Sequence, residues 1–217
     1  MNTREILINA KKATIESLFD HEISDRQVIV YNRNAAKAYA EAYALSPNTK
    51  QYPLFKDDDC TNFISQVLRA GGMMMIGNDY TKFQNWFCYT NNPRNLAQIS
   101  LTWRSARYFR RHWGNENGIG SNAAREYKEM KLLDAIANFQ GLYNILEIGD
   151  VIQYGDPKKG NLPYHTQVIH AKGYNTVKGR NDLFMAQHTA NRKNVSLYEY
   201  FSLLKDKDRR RIYIYRF

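Results

Sequence analysis

The chain has 217 residues, 43% of them hydrophobic and 24% charged, with a formal net charge of +10. That length supports one substantial core, no Pro/Gly/Ser-rich linker divides it, and no apolar run approaches the ~18 residues of a membrane span. The surplus of positive charge favours an anionic partner, and both nucleic acid and an anionic cell wall qualify.

The opening segment MNTREILINAKKATIESLF lacks the apolar centre of a secretory signal. The chain is therefore expected either to stay in the cytoplasm until phage lysis or specialised secretion releases it, or to be a mature form whose leader has been removed. Apolar residues at Ile6, Leu7, Ala10, Ala13 and Leu18 predict a helix over 3–20, within an N-terminal extension of residues 1–30. The alanine-rich NAAKAYAEAYAL (34–45) predicts a second helix, stopped by the loop signal Ser46-Pro47-Asn48. A third starts at about Cys60, with Phe63, Ile64, Val67 and Leu68 on one stripe and Gly71-Gly72 as its stop. A Trp/Tyr/Asn-rich loop follows, then helical stretches at 100–113 and 123–138. From there the period becomes alternating, and 150–154, 165–171, 182–189 and 211–217 read as strands. Helices first and an antiparallel sheet second predict an α+β fold.

Cys60 sits in FKDDDCTNFISQVLRAGG. A first-turn cysteine is stabilised as thiolate by unpaired N–H groups and the helix dipole. The carboxylates of Asp57, Asp58 and Asp59 would oppose this if they faced the sulfur, so Asp59 is expected to turn back to cap the helix or brace a loop. A buried cysteine packed as a small hydrophobe is the competing reading, and a single bridge to Cys88 would silence the thiol.

A nucleophilic cysteine needs a base and a group that orients it. His165, opening a strand after the turn GNLPYH, is the best base candidate. His188 on the next strand, or Asn191 three residues later, is placed to fix its tautomer. His170 falls on the opposite face by alternation and reads as surface or satisfied core, and His21 and His112 read as structural. Cys60, His165 and His188 are possible zinc ligands, but no CxxC, HExxH or close His pair is present, so no metal or other cofactor is expected. GNENGIGS (114–121) lacks the strand and GK[ST] ending of a phosphate loop.

Together, YNRNAAKAYAEAYA, YPLFKDDDCTNFISQVLRAGG, SLTWRSARYF, IGDVIQY, HTQVI and QHTAN resemble the putative amidase domain family, related to the papain-like NlpC-type and CHAP cell-wall hydrolases. The resemblance runs from about Tyr31 to Tyr200 and is most specific in DCTNFISQ with AGG. It implies a papain-like domain over 31–217, with Cys60 as nucleophile, His165 as base and His188, or second Asn191, at the third position. Lys56, Asp57-Asp58, Met73 to Met75 and Cys88 depart from the usual pattern without touching those residues. The expected reaction is amide hydrolysis through a thioacyl intermediate, with the backbone N–H of Cys60 as an oxyanion donor and Asp59 and Tyr52 as candidate oxyanion or substrate contacts. The expected partner is peptidoglycan, drawn by charge; no immunity or inhibitor protein is legible. Two other readings remain: a cysteine protease or acyltransferase toxin acting on proteins, and a non-enzymatic module binding wall polymer or nucleic acid through Trp86, Trp103, Trp113 and the arginines.

Overall fold

A computed structural model describes residues 30–115 and 120–217. The expected helix over 3–20 and His21 lie outside the described residues. Residues Tyr31–Phe217 form one compact unit. Helix α1 (Arg33–Tyr43) starts where the Asn32 side chain accepts a hydrogen bond from Ala35 N–H, supplying one of the partners a helix start lacks. The side chains it buries fully are small, Ala36 and Ala40 followed by Ala44 at its end, with Tyr39 and Tyr43 partly buried beside them. That lets it lie close against α2 (Cys60–Ala70). Helix α2 carries the expected apolar stripe, but every residue from Cys60 to Leu68 is buried, so its polar residues must find partners inside the protein. It ends where expected. Gly71 is required there, because a Cβ would lie 2.1 Å from the Tyr31 ring.

The stretch 100–113 is two helices, α3 (Leu101–Arg104) and α4 (Ala106–Trp113), broken at an extended Ser105. The expected helix over 123–138 is corrected: Glu126–Lys131 is strand β1, and only Leu132–Ala137 is helical, as α5. EYKEMK has the composition of a helix, but Tyr127 and Glu129 alternate onto one face. There Tyr127 packs on Tyr215, and Arg110 donates to the Tyr127 hydroxyl at 2.8 Å and pairs with Glu129. Long-range pairing outweighs local propensity. Helix α6 (Phe139–Ile145), strand β5 (Arg192–Ser196) and helix α7 (Leu197–Leu203) are additions to the sequence reading.

Strands β1, β2 (Val151–Asp156), β3 (Leu162–Asn175), β4 (Arg180–Gln187), β5 and β6 (Arg211–Arg216) form an antiparallel sheet in the order β1-β6-β2-β3-β4-β5. The fold is α+β, as expected, but both sheet faces are covered. Val151, Val168, Tyr213 and Tyr215 face α1, α2 and α4; Ile152, Ile169, Ile212 and Ile214 face α5, α6 and α7. Successive strand residues therefore bury on opposite sides, and β2 and β6 read as near-continuous apolar runs. Among the described residues, no helix is long and apolar enough to cross a membrane.

Candidate active site

Both cysteines are free thiols. Cys60 begins α2, whose first turn has no side-chain cap, so its leading N–H groups stay available near the sulfur. Its position is fixed by a neighbour: Thr61 Oγ1 lies 3.0 Å from Thr166 Oγ1, tying the first turn of α2 to the residue after His165. Gln153 Nε2 donates to the same Thr166 hydroxyl at 3.0 Å and to the Ala106 carbonyl at 2.9 Å. The thiol is 2% exposed. Burial pushes its pKa up, hydrogen bonds from the Thr61 side chain and the Thr166 backbone pull it down, and the Asp58 charge adds to the rise. The net direction is upward. The resting group is a thiol.

His165 is 8% exposed. Its ring lies among Tyr154, Tyr164 and Tyr200, with centroids 6.0, 6.4 and 6.3 Å away. Burial lowers its pKa, opposed by Gln187, so the ring is neutral at neutral pH. Its Nε2 is buried without a hydrogen-bond partner. Tyr200 flanks the His165 ring, and Cys60 is among the groups acting on its hydroxyl; among the described residues no hydrogen bond joins Cys60 to His165.

Asp59 answers the question its position raises. It is 2% exposed and does not cap α2; it braces. Oδ1 accepts from Phe55 N–H at 2.9 Å and from Asn62 Nδ2 at 2.8 Å, and Oδ2 lies 2.5 Å from His188 Nδ1. His188 is fully buried, stacked on Phe63, with Nε2 2.8 Å from the Tyr43 carbonyl. Both of its nitrogens are engaged by groups other than His165. The reason is strand parity. The Val168–Ala186 register sets Gln167 opposite Gln187 on the face of His165, and one residue further the chain has crossed to the α2 side. Gln187 is thus the polar side chain beside His165, a residue the sequence reading missed; the signal was its parity with His165. The Gln187 amide is held in turn: Oε1 accepts from Gln167, whose own Oε1 accepts from Tyr154, and Nε2 donates to the Thr189 and Ala190 carbonyls.

Those two residues adopt left-handed φ of 60° and 59°, which non-glycine residues rarely do. The turn they form grips the start of α2, since Asp59 N–H donates to Thr189 Oγ1 at 2.9 Å. Asn191 is exposed. Tyr52 is buried and stacked on Trp103, and the charges acting on its hydroxyl are Arg69, at the far end of α2, and Cys88. His170 is satisfied core, with Nδ1 3.3 Å from Glu41 and Nε2 accepting from Asn194 N–H. His112 is buried against Trp86 and Trp113, its pKa lowered to about 4 by burial. Among the described residues no three metal-ligating side chains are gathered. Trp86, Trp103 and Trp113 lie in the core, which removes them as a contact surface.

The arrangement is a thiol at a helix start beside a strand carrying a neutral imidazole, and the model of the family described as "Putative amidase domain" matches residues 30–215. The chain belongs to that family. Amide hydrolysis is supported at the level of the family. Two relatives from Bacillus subtilis (strain 168) share the domain: "Uncharacterized protein YjcM", 33% identical over 171 residues, covering 76% of this chain and 32% of the relative, and "Uncharacterized protein YhbB", 29% identical over 171 residues, covering 78% and 45%. The chain thus spans less than half the length of these relatives. No solved structure matches it.

Proposed function

We propose that this amidase-family chain is a cysteine-dependent amide hydrolase with a papain-like arrangement, cleaving the peptide part of bacterial peptidoglycan. The observation that carries the reading is the Thr61–Thr166 contact at 3.0 Å, which joins the turn holding Cys60 to the strand residue beside His165. Because burial raises the thiol pKa and lowers the imidazole pKa, the resting pair is neutral. Proton transfer then accompanies attack: His165 takes the Cys60 proton as sulfur bonds to the carbonyl carbon. The tetrahedral oxyanion is met by the uncapped N–H groups at the start of α2. The imidazolium returns its proton to the departing amine, leaving a thioacyl group. Neutral His165 next removes a proton from water, which attacks that carbonyl and releases the acid and the thiol.

Gln187 orients the imidazole, and Asp59, His188 and Thr189 hold α2 in place. An anionic wall suits the +10 charge. Cys60→Ala and His165→Ala should each abolish release of soluble fragments from purified peptidoglycan. Mass spectrometry of the wild-type digest should show new N-termini that identify the bond; wall-degrading activity persisting in either variant refutes the mechanism.

A further inference from the structure

Beside the catalytic face lies a pocket of about 320 Å³ lined by Asp156, Lys158, Tyr164, Lys205, Asp206 and Arg210. Its base is unusual in charge. Arg210 is 7% exposed, yet among the described residues no carboxylate lies within ion-pairing distance of it. Its guanidinium instead donates Nε–H to the Lys205 carbonyl at 3.0 Å and Nη1–H to the Gly155 carbonyl, with the Tyr164 hydroxyl at 3.5 Å. Neutral acceptors leave a buried cation uncompensated, which is costly unless something else supplies the negative charge. Of the two acids of the lining, Asp206 pairs with Arg209 at 2.7 Å, and Asp156 keeps its charge while its Oδ1 accepts from the Lys158 backbone N–H at 3.0 Å. Lys158 and Lys205 are exposed and have no acidic partner among the described residues, so three cations against the single unpaired carboxylate of Asp156 leave the cavity net positive.

The pocket reaches the reaction centre through one side chain. Tyr164 lines it, carries Arg210 against its ring at 5.6 Å, and lies with its own ring 6.4 Å from that of His165. Resting on the amide-hydrolase reading, we propose that this pocket is a substrate subsite for a free carboxylate one or two residues from the scissile amide. Arg210 receives the carboxylate at the floor of the pocket, Lys158 and Lys205 draw it in from the rim, and Tyr164 separates it from His165. An arginine fork matches a carboxylate in geometry as well as charge. The enzyme would then act near the free end of a peptide, or beside an acidic residue, in preference to an uncharged interior amide.

The test separates binding from catalysis. With Cys60→Ala protein, N-acetyl-alanyl-alanine and its C-terminal carboxamide are titrated and followed by NMR. The free acid should bind roughly 10- to 100-fold more tightly, the range for a charge-assisted hydrogen bond. Arg210→Met should erase the difference. Because Arg210 also anchors the Gly155 carbonyl and this variant risks misfolding, Lys158→Ala/Lys205→Ala serves as the second variant and should weaken the acid several-fold while leaving the carboxamide unchanged. Equal binding of acid and amide by the parent protein, or an unchanged preference in a folded Arg210→Met protein, overturns the proposal. Acid-selective binding without hydrolysis by the wild-type chain would uphold the subsite while refuting amide cleavage.

Discussion

Replacing Asp59 by asparagine keeps the volume of the side chain and an acceptor for Phe55 N–H and Asn62, but removes the charge that faces His188 Nδ1 at 2.5 Å. Both partners are buried, at 2% and 0% exposure, so solvent screens little of the interaction. Breaking one side of such a pair costs about 3–5 kcal/mol. Since the two Oδ1 bonds survive in Asn, the lower end, about 3 kcal/mol, is expected for Asp59→Asn. That is a large share of the roughly 5–15 kcal/mol that holds a domain folded. Urea unfolding followed by fluorescence suits the measurement, because Trp86, Trp103 and Trp113 are all buried. His188→Gln should cost a comparable amount, and Asp59→Asn/His188→Gln should fall short of the sum by about 2 kcal/mol, since neither group is then left facing a lost partner. A cost below about 1 kcal/mol for Asp59→Asn, or strict additivity in the cycle, refutes the brace.

Three further outcomes follow from burial. Iodoacetamide should label Cys60 slowly at neutral pH, with the rate climbing above the ordinary thiol range of about 8.5, because burial raises the pKa; mass spectrometry separates it from Cys88, whose pKa burial raises to about 11. Rapid labelling of Cys60 at pH 7 would mean a preformed thiolate. The acid limb of kcat/KM should lie below the ordinary histidine value of about 6.5, since burial lowers the His165 pKa and the base works when neutral; an acid limb above pH 7 contradicts that assignment. For His112, a folded pKa of about 4 lies below the unfolded value, so the fold prefers the neutral ring. Stability is then complete above about pH 6.5 and falls by about 3 kcal/mol as pH drops toward 4. In His112→Gln, pH-dependent unfolding should lose about that much of its slope across this window, and an unchanged slope refutes the linkage.

Helix α2 shows how far the residues by themselves reach. Its start at Cys60, its apolar stripe and its glycine stop are local facts, written in the spacing of side chains, while the reason Gly71 admits no Cβ, the Tyr31 ring packed beside it, is a tertiary one. The strand segments β2, β3, β4 and β6 are legible from their apolar and β-branched residues between turn signals, as is the family, carried by contiguous motifs. What local pattern could not decide is partnership. Glu126–Lys131 has helix-favouring residues, yet β6 offered an edge to pair with. The third side chain at His165 depended on which of two adjacent residues, Gln187 or His188, emerged on its face, and a shift of one residue in register reverses that answer. Sequence alone determined that a cysteine would open a buried helix and that a histidine would lie on a strand, although that strand begins at Leu162 and His165 is its fourth residue. Tertiary structure decided that the aspartate before the cysteine turns away to hold His188, and that Arg210, one of three consecutive arginines in the sequence, lies buried with no carboxylate within ion-pairing distance among the described residues. Charge, burial and partner are properties of chain segments brought together across the fold.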